Sequence, residues 1–309
     1  MVDQSSCNQL IKIAVVGDVH NLWEQADEVA LKHLEVDLVL FVGDFGNEAV
    51  EVVRAIAALD LPMAAALGNH DAWYTATPWG LKQCPYDREK EDWVQQQLDL
   101  LGENHVGYSK RDFPELKLTV VGGRPFSWGG PDWKNAAFYQ DRFGVMDFDQ
   151  SVARITAAGD SAAYETVIFL GHNGPTGLGD RAEDPCGRDW KPLGGDYGDP
   201  DFQAAIVQTK ALGKTVPLVA FGHMHHKLRH TQQVLRTPIY ANNDGTIYLN
   251  AASVPRIVQT KTSRCRNFSL VSLQAGVVTE ISLVWINQDL TITSQELLYY
   301  QAKPVVQPA

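Results

Sequence analysis

Five short apolar runs organise the first 225 residues: IKIAVVGDVH (11–20), DLVLFVGDFG (37–46), LPMAAALGNHD (61–71), TVIFLGHNG (166–174) and VPLVAFGHMH (216–225). Each is rich in Val, Ile, Leu or Ala and is bounded by polar residues, the pattern of strands buried on both faces. Between the first two runs, Leu22, Ala26, Val29, Ala30, His33 and Leu34 recur at helical spacing, and Val50, Val53, Ile56 and Ala57 do so between the second and third. Strand alternating with helix predicts parallel βαβ units. Ligands of such sheets sit beyond the carboxyl ends of the strands. Every run ends in glycine, followed by Asp, Asp, Asn, His or His. The spacing therefore predicts that these residues meet along one edge of one sheet, with glycine letting the backbone pass close to a bound group.

The residues so gathered are Asp18, His20, Asp44, Asn69, His172, His223 and His225. Singly, each has an ordinary explanation: an aspartate after a strand caps the next helix, an asparagine turns, a histidine packs. Five such accidents at five strand ends are far less frequent than one common cause. In VAFGHMHHK (219–227), alternate residues of a strand share a side. His223 and His225 can thus face one point, while His226 is expected to turn away and, like His230, to lie in solvent. Two carboxylates, one amide oxygen and four imidazoles exceed one ion's needs and suit two ions that share a carboxylate. Nitrogen and oxygen donors without thiolate favour Mn, Fe or Zn over copper or calcium.

Composition narrows the class. The 309 residues carry 37 acids against 26 bases, a formal charge of −11, which argues against broad nucleic-acid binding. Cys7, Cys84, Cys186 and Cys265 are widely spaced and form no metal or disulfide motif. The N-terminal residues lack a signal-peptide pattern. The longest apolar stretch, Ala55 to Leu67, is broken by Asp60 and Pro62. A cytoplasmic chain without membrane contact is expected. No phosphate-binding glycine loop or serine-hydrolase elbow is present.

The ordered blocks GDVH (17–20), GD (43–44), GNHD (68–71), GH (171–172) and GHMH (222–225) resemble the calcineurin-like dinuclear metallophosphoesterases. The resemblance spans about residues 11–226. It implies an α/β fold of four layers, αββα, with two mixed β-sheets flanked by helices, and places NFSLVSLQAGVVTEISLVWI (267–286) as a hairpin extending the second sheet. The whole chain, 1–309, is then one domain with a long inserted segment at about 72–165 and a tail at about 288–309. By the same resemblance, Asp18, His20, Asp44 and His225 hold one metal, and Asp44, Asn69, His172 and His223 the other. A metal-bridging hydroxide is the nucleophile and His70 the proton donor, with Asp71 expected to cap the helix that follows. The segments GGRPFSWGGPDWK (122–134) and GHNGPTGLGDRAEDPCGRDW (171–190) resemble a branch found in cyanobacteria and plastids. The sequence departs from the serine/threonine phosphatase subgroup in having GDFGNE without the following arginine, and GNHD where that subgroup has GNHE.

The implied activity is metal-dependent phosphoester hydrolysis with two divalent ions, manganese favoured, on a small phosphorylated substrate or a phosphoprotein. Phosphomonoesters lead; a phosphodiesterase on a cyclic nucleotide or small diester is the alternative. A catalytically dead metal-binding scaffold is disfavoured, since no ligand and no proton donor is missing. Arg124, Arg181 and Arg188 are candidate phosphate clamps. Trp73, Tyr74, Trp79, Trp128, Trp133 and Trp190 could form an aromatic wall for an organic leaving group or simply pack long loops.

Overall fold

The apolar runs form strands in which alternate side chains serve different layers. The computed structural model describes residues 10–260 and 263–301; Cys7 lies outside them. In chain order the main elements are β1 (Leu10–Val16), α1 (Gln25–His33), β2 (Leu38–Phe41), α2 (Val50–Ala57), β3 (Met63–Ala65), α3 (Trp73–Ala76), α4 (Pro78–Leu81), α5 (Trp93–Leu101), β4 (Lys110–Phe113) and β5 (Leu118–Gly122). There follow α6 (Ala136–Phe143), α7 (Phe148–Asp160), β6 (Thr166–Leu170), α8 (Pro200–Ala211), β7 (Thr215–Phe221), β8 (Ile239–Ala241), β9 (Ile247–Asn250), β10 (Ile257–Gln259), β11 (Arg264–Gln274), β12 (Val277–Ile286) and β13 (Ile292–Tyr300).

Among the described residues the strands make two mixed sheets. One runs β13-β12-β11-β1-β2-β3, with β10 beside β11; the other runs β4-β5-β6-β7-β9-β8. The pairs β1–β2–β3 and β5–β6–β7–β9 are parallel, and the outer pairs are antiparallel. Ile13, Val15, Leu38 and Leu40 of the first sheet share one core with Ile168, Leu170, Leu218 and Ala220 of the second. Their neighbours Ala14, Val16, Val39 and Phe41 belong to the apolar cluster that includes Ala30 and Leu31 of α1 and Val53 and Ile56 of α2. Val167, Phe169 and Val219 likewise share that cluster with Ile155 of α7 and Phe202 and Ile206 of α8. Period-two alternation thus builds helix, sheet, sheet, helix.

The helix ends follow local chemistry. Asp147 opens α7 by accepting from Gln150 N (2.8 Å), and Pro200 stands in the first turn of α8, where a missing N–H costs nothing. In α1, Asp27 and Glu28 sit in the first turn and Lys32 and His33 in the last, matching the helix dipole.

Three expectations change. The five strands that end in glycine divide between the two sheets, β1–β3 in one and β6–β7 in the other, so the shared edge belongs to the sandwich and not to a single sheet. The 267–286 hairpin exists, but β11 pairs with β1 and so extends the sheet of the first three strands. Segment 72–165 is woven into the fold: β5 pairs with β6 along five residues. Within the expected tail, Ile292–Tyr300 is a strand paired with β12, and residues 302–309 fall outside those described. Among the described residues, no helix is long and apolar enough to cross a membrane.

Candidate metal centre

The loops after β1, β2, β3, β6 and β7 converge because each chain turns sharply as it leaves its strand. His20, Asp44 and His223 lie in the left-handed region, with φ of 45°, 50° and 66°. Non-glycine residues there carry backbone strain that the surrounding structure must hold. Part of that hold is explicit: His20 N donates to Asp44 O at 2.7 Å, locking the first two loops together. Glycines let the ligand side chains close in. A Cβ on Gly68 would stand 2.3 Å from Asp44 Oδ1, and one on Gly222 would stand 2.1 Å from Asp18 Oδ1. Glycine here admits the protein's own carboxylates.

Two ligand groups result. Asp44, His172 and His223 converge in one and Asp18, His20 and His225 in the other, with all donor atoms of each group within 4.8 Å of one another. In the first group, His172 Nδ1 donates to Val42 O (2.8 Å), which leaves Nε2 as an acceptor. That lone pair faces Asn69 Oδ1 at 2.9 Å, His223 Nδ1 at 3.1 Å and Asp44 Oδ1 at 3.3 Å. Acceptors crowded this closely repel unless a cation stands among them, so the donor set fits a metal ion. In the second group, His225 Nε2 is 3.2 Å from both Asp18 Oδ2 and His20 Nε2. Asp44 Oδ2 lies 3.9 Å from His20 Nε2, so this carboxylate faces both groups.

Electrostatics agree with ligation. Burial pushes the Asp18 carboxyl up, but the His225 hydrogen bond and the neighbouring imidazoles outweigh it and hold Asp18 well below the usual carboxylate range. Burial presses His223 well below its ordinary value, so it is present as the neutral ring a metal requires. His225 is also pushed down by burial, but its hydrogen bond to Asp18 together with the negative charges of Asp18 and Asp44 outweighs this and raises it.

His70 stands at the edge of both groups, its Nε2 4.0 Å from Asp44 Oδ2, and its backbone N donates to Asp44 Oδ1 (2.9 Å). With His20 and Asp44 it forms a third set of convergent donor atoms. Its Nδ1 meets Asn47 Oδ1 at 2.6 Å, and its ring stacks on Trp73 with centroids 4.5 Å apart. Burial lowers its pKa, with Asp44 pulling the other way. Asp71, expected to cap the helix that follows, does not do so; it reaches back to accept from Gly68 N (2.6 Å) and also accepts from Phe45 N (2.8 Å), joining the second and third loops. Burial, reinforced by Asp44, drives its pKa well above the carboxylate range.

The model of the calcineurin-like phosphoesterases matches residues 11–227, more than two thirds of the chain and all of the ligand blocks. The chain belongs to this family. Among solved structures, TT1561 of Thermus thermophilus is similar at 11% identity over 94% of this chain and 100% of that one, with a TM-score of 0.47. An archaeal phosphodiesterase is 11% identical over 93% and 100%, TM-score 0.32. A metallophosphoesterase from Sphaerobacter thermophilus is 15% identical over 95% and 90%, TM-score 0.31. No curated protein sequence matches the chain. Family membership brings metal-dependent phosphoester hydrolysis with it, and Asp18, His20, Asp44, His70, His172, His223 and His225 are described residues whose donor atoms converge closely enough for this calcineurin-like phosphoesterase to hold metal.

A cavity of about 330 Å³ opens on this centre, with Asp44, Asn69, His70, His223 and His225 in its wall. The arginines behave differently from expectation. Arg124 is buried, with Nε on Asp201 Oδ2 (3.0 Å) and an Nη on Asp199 Oδ1 (2.7 Å), and its guanidinium lies 5.0 Å from the Trp133 ring centroid. Those donors are taken by carboxylates, so Arg124 is no phosphate clamp. Arg181 is exposed and pairs with Asp184 at 2.9 Å. Arg188 lies over Tyr197 at 5.7 Å and does not reach the cavity wall. The cations that do line it are Lys134 and Arg229, both missed from sequence. Arg229 follows the last ligand by four residues, a signal that proximity to GHMH could have supplied. Trp73, Trp128 and Trp190 line the cavity, whereas Tyr74, Trp79 and Trp133 do not. His226, expected in solvent, is buried, and its Nε2–H donates to Asn250 O (2.9 Å). His230 is exposed, as expected, with its ring 3.8 Å from Glu183.

Proposed function

We propose that this chain is a cytoplasmic hydrolase of small phosphomonoesters, working with two divalent ions, manganese favoured over iron and zinc. The observation that carries the reading is the pair of ligand groups facing the Asp44 carboxylate, with His70 beside them in one cavity. Asp18, His20, Asp44 and His225 would hold one ion, and Asp44, Asn69, His172 and His223 the other. Bound there, the ions would supply Lewis-acid contacts to phosphoryl oxygens and ready ionisation of water.

The residues of the chain provide the rest. His172 is oriented by Val42 O and His70 by Asn47, so neither ring needs to search for its position. With Nδ1 directed at Asn47, Nε2 of His70 is the atom that can pass a proton to the departing oxygen. The lowered pKa of that ring means its protonated form gives the proton up readily. Lys134 and Arg229 add positive charge to the wall and favour an anionic substrate over a neutral one. Such a small cavity suits a phosphorylated small molecule better than a phosphoprotein; the acidic balance of the chain supports neither nucleic acid nor membrane as partner.

The test is hydrolysis of p-nitrophenyl phosphate and of bis-p-nitrophenyl phosphate by metal-stripped protein with and without added Mn²⁺. Activity on the monoester that needs metal and exceeds that on the diester is expected. Full activity in stripped protein would remove the two-metal reading, and faster diester cleavage would reverse the substrate assignment.

A further inference from the structure

The wall of the cavity away from the ligands is built of rings and cations: Trp73, Trp128, Trp190 and Tyr197, with Lys134 and Arg229. These rings are ordered into two groups. His70, Trp73 and Trp128 form one continuous stack, with centroid separations of 4.5 and 5.5 Å and interplanar angles of 12° and 25°. Trp190 and Tyr197 form the second, edge to face at 4.8 Å. Both cations are tied to the second group, Arg229 over Trp190 at 5.2 Å and Lys134 over Tyr197 at 4.8 Å.

Simple packing does not account for the arrangement. Rings that only fill space in this molecule are closed off: Phe126, Phe169, Phe202 and Phe221 are at most 1% exposed. Trp73, Trp128, Trp190 and Tyr197 are only half-buried, leaving ring surface towards the cavity. Apolar surface left to water beside a reaction centre is unfavourable unless something covers it. The cations are also unusual. Among the described residues, neither Lys134 nor Arg229 has an ion-pair partner, and the contact of Lys134 Nζ with Gly129 O (2.7 Å) engages one of three donors. The carboxylate in the cavity wall, Asp44, belongs to the ligand groups. Lys134 is partly buried, and with the exposed Arg229 it leaves a place for a negative group on the substrate.

We infer that the substrate's leaving group is a planar ring system that itself carries negative charge, stacked on Trp128 and met by Lys134 and Arg229. The inference rests on the hydrolase reading and deepens it. Trp73 is flanked by His70 and Trp128, so the ring face of the stack left open to the cavity is that of Trp128, and a planar ring covers it.

Three esters of the same primary alcohol test this without confounding leaving-group chemistry: ribose 5-phosphate, uridine 5′-monophosphate and orotidine 5′-monophosphate. The first has no base, the second adds a planar ring, and the third adds a carboxylate to it. With Mn²⁺, kcat/KM is expected to rise roughly tenfold or more from the first to the second and again, by a smaller factor, to the third. Most of the gain should lie in KM. Trp128→Leu should shrink the first ratio towards one, and Lys134→Gln with Arg229→Gln should shrink the second. Ratios near one for the unaltered protein would overturn the inference, and that result needs no variant to fold. Binding is read separately by quenching of tryptophan fluorescence. Quenching by both nucleotides but not by ribose 5-phosphate supports the ring site even in protein that hydrolyses nothing; equal or absent quenching overturns it. Hydrolysis of p-nitrophenyl phosphate alongside ratios near one would sink the ring site and leave the hydrolase reading standing.

Discussion

His70 and Asp44 lie side by side, yet they should fail differently when altered. Asp44→Asn removes a negative charge that faces both ligand groups. Metal content by mass spectrometry should fall well below two ions per chain, and activity should fall with it. Asn47→Leu touches no ligand group; it frees the His70 ring from its 2.6 Å contact. Metal content should then stay unchanged while kcat on an alkyl phosphate drops on the order of 10–100-fold, the usual cost of losing an orienting partner. A loss of metal in this variant would mean that His70 is itself a ligand. The convergent donors were legible in the sequence because five of them follow a glycine at the end of an apolar run, and His20 and His225 lie two residues further on. Asn47 was not, because its role depends on meeting a ring 23 residues further on.

At the scale of elements, Arg124 joins the loop after β5 to the start of α8 through Asp199 and Asp201, with Ser127 Oγ on the same Asp199 oxygen at 2.7 Å. Arg124→Met leaves two buried carboxylates without their cation, a change that typically costs about 3–5 kcal/mol. A fall of this size in unfolding free energy by denaturant titration is expected; Arg181→Ala, at an exposed pair, should leave the midpoint where it was. His226→Leu, on the strand end beside a ligand, removes the donor to buried Asn250 O. It should destabilise by about 1–3 kcal/mol, where a side chain lying in solvent would have given little change. The segment between His70 and His172 reads as an insertion from its length, but strand pairing by β5 makes it part of the sheet. Hydrophobic period cannot separate these cases, because a strand in an insertion and a strand in a sheet look alike until the partner is known.

For the whole molecule, the two ligand groups are a joint between sheets. Asp18, His20, Asp44 and Asn69 come from loops of the first sheet, and His172, His223 and His225 from loops of the second. Metal that binds only the folded form should therefore brace the sandwich, adding about 2.7 kcal/mol at a hundredfold excess over Kd. The thermal midpoint should rise with Mn²⁺ concentration and fall on chelation; a midpoint indifferent to metal would mean the joint is not loaded. By itself the sequence determined the strands, the turns at their ends and the donors delivered there, since hydrophobic period and glycine position act over a few residues. Only the tertiary structure decided the division of strands between two sheets, the burial of Arg124 and His226, and the choice of Lys134 and Arg229 for the cavity. Those outcomes depend on which distant surfaces meet, and contacts between residues 25 to more than 200 positions apart leave no periodic trace in the chain.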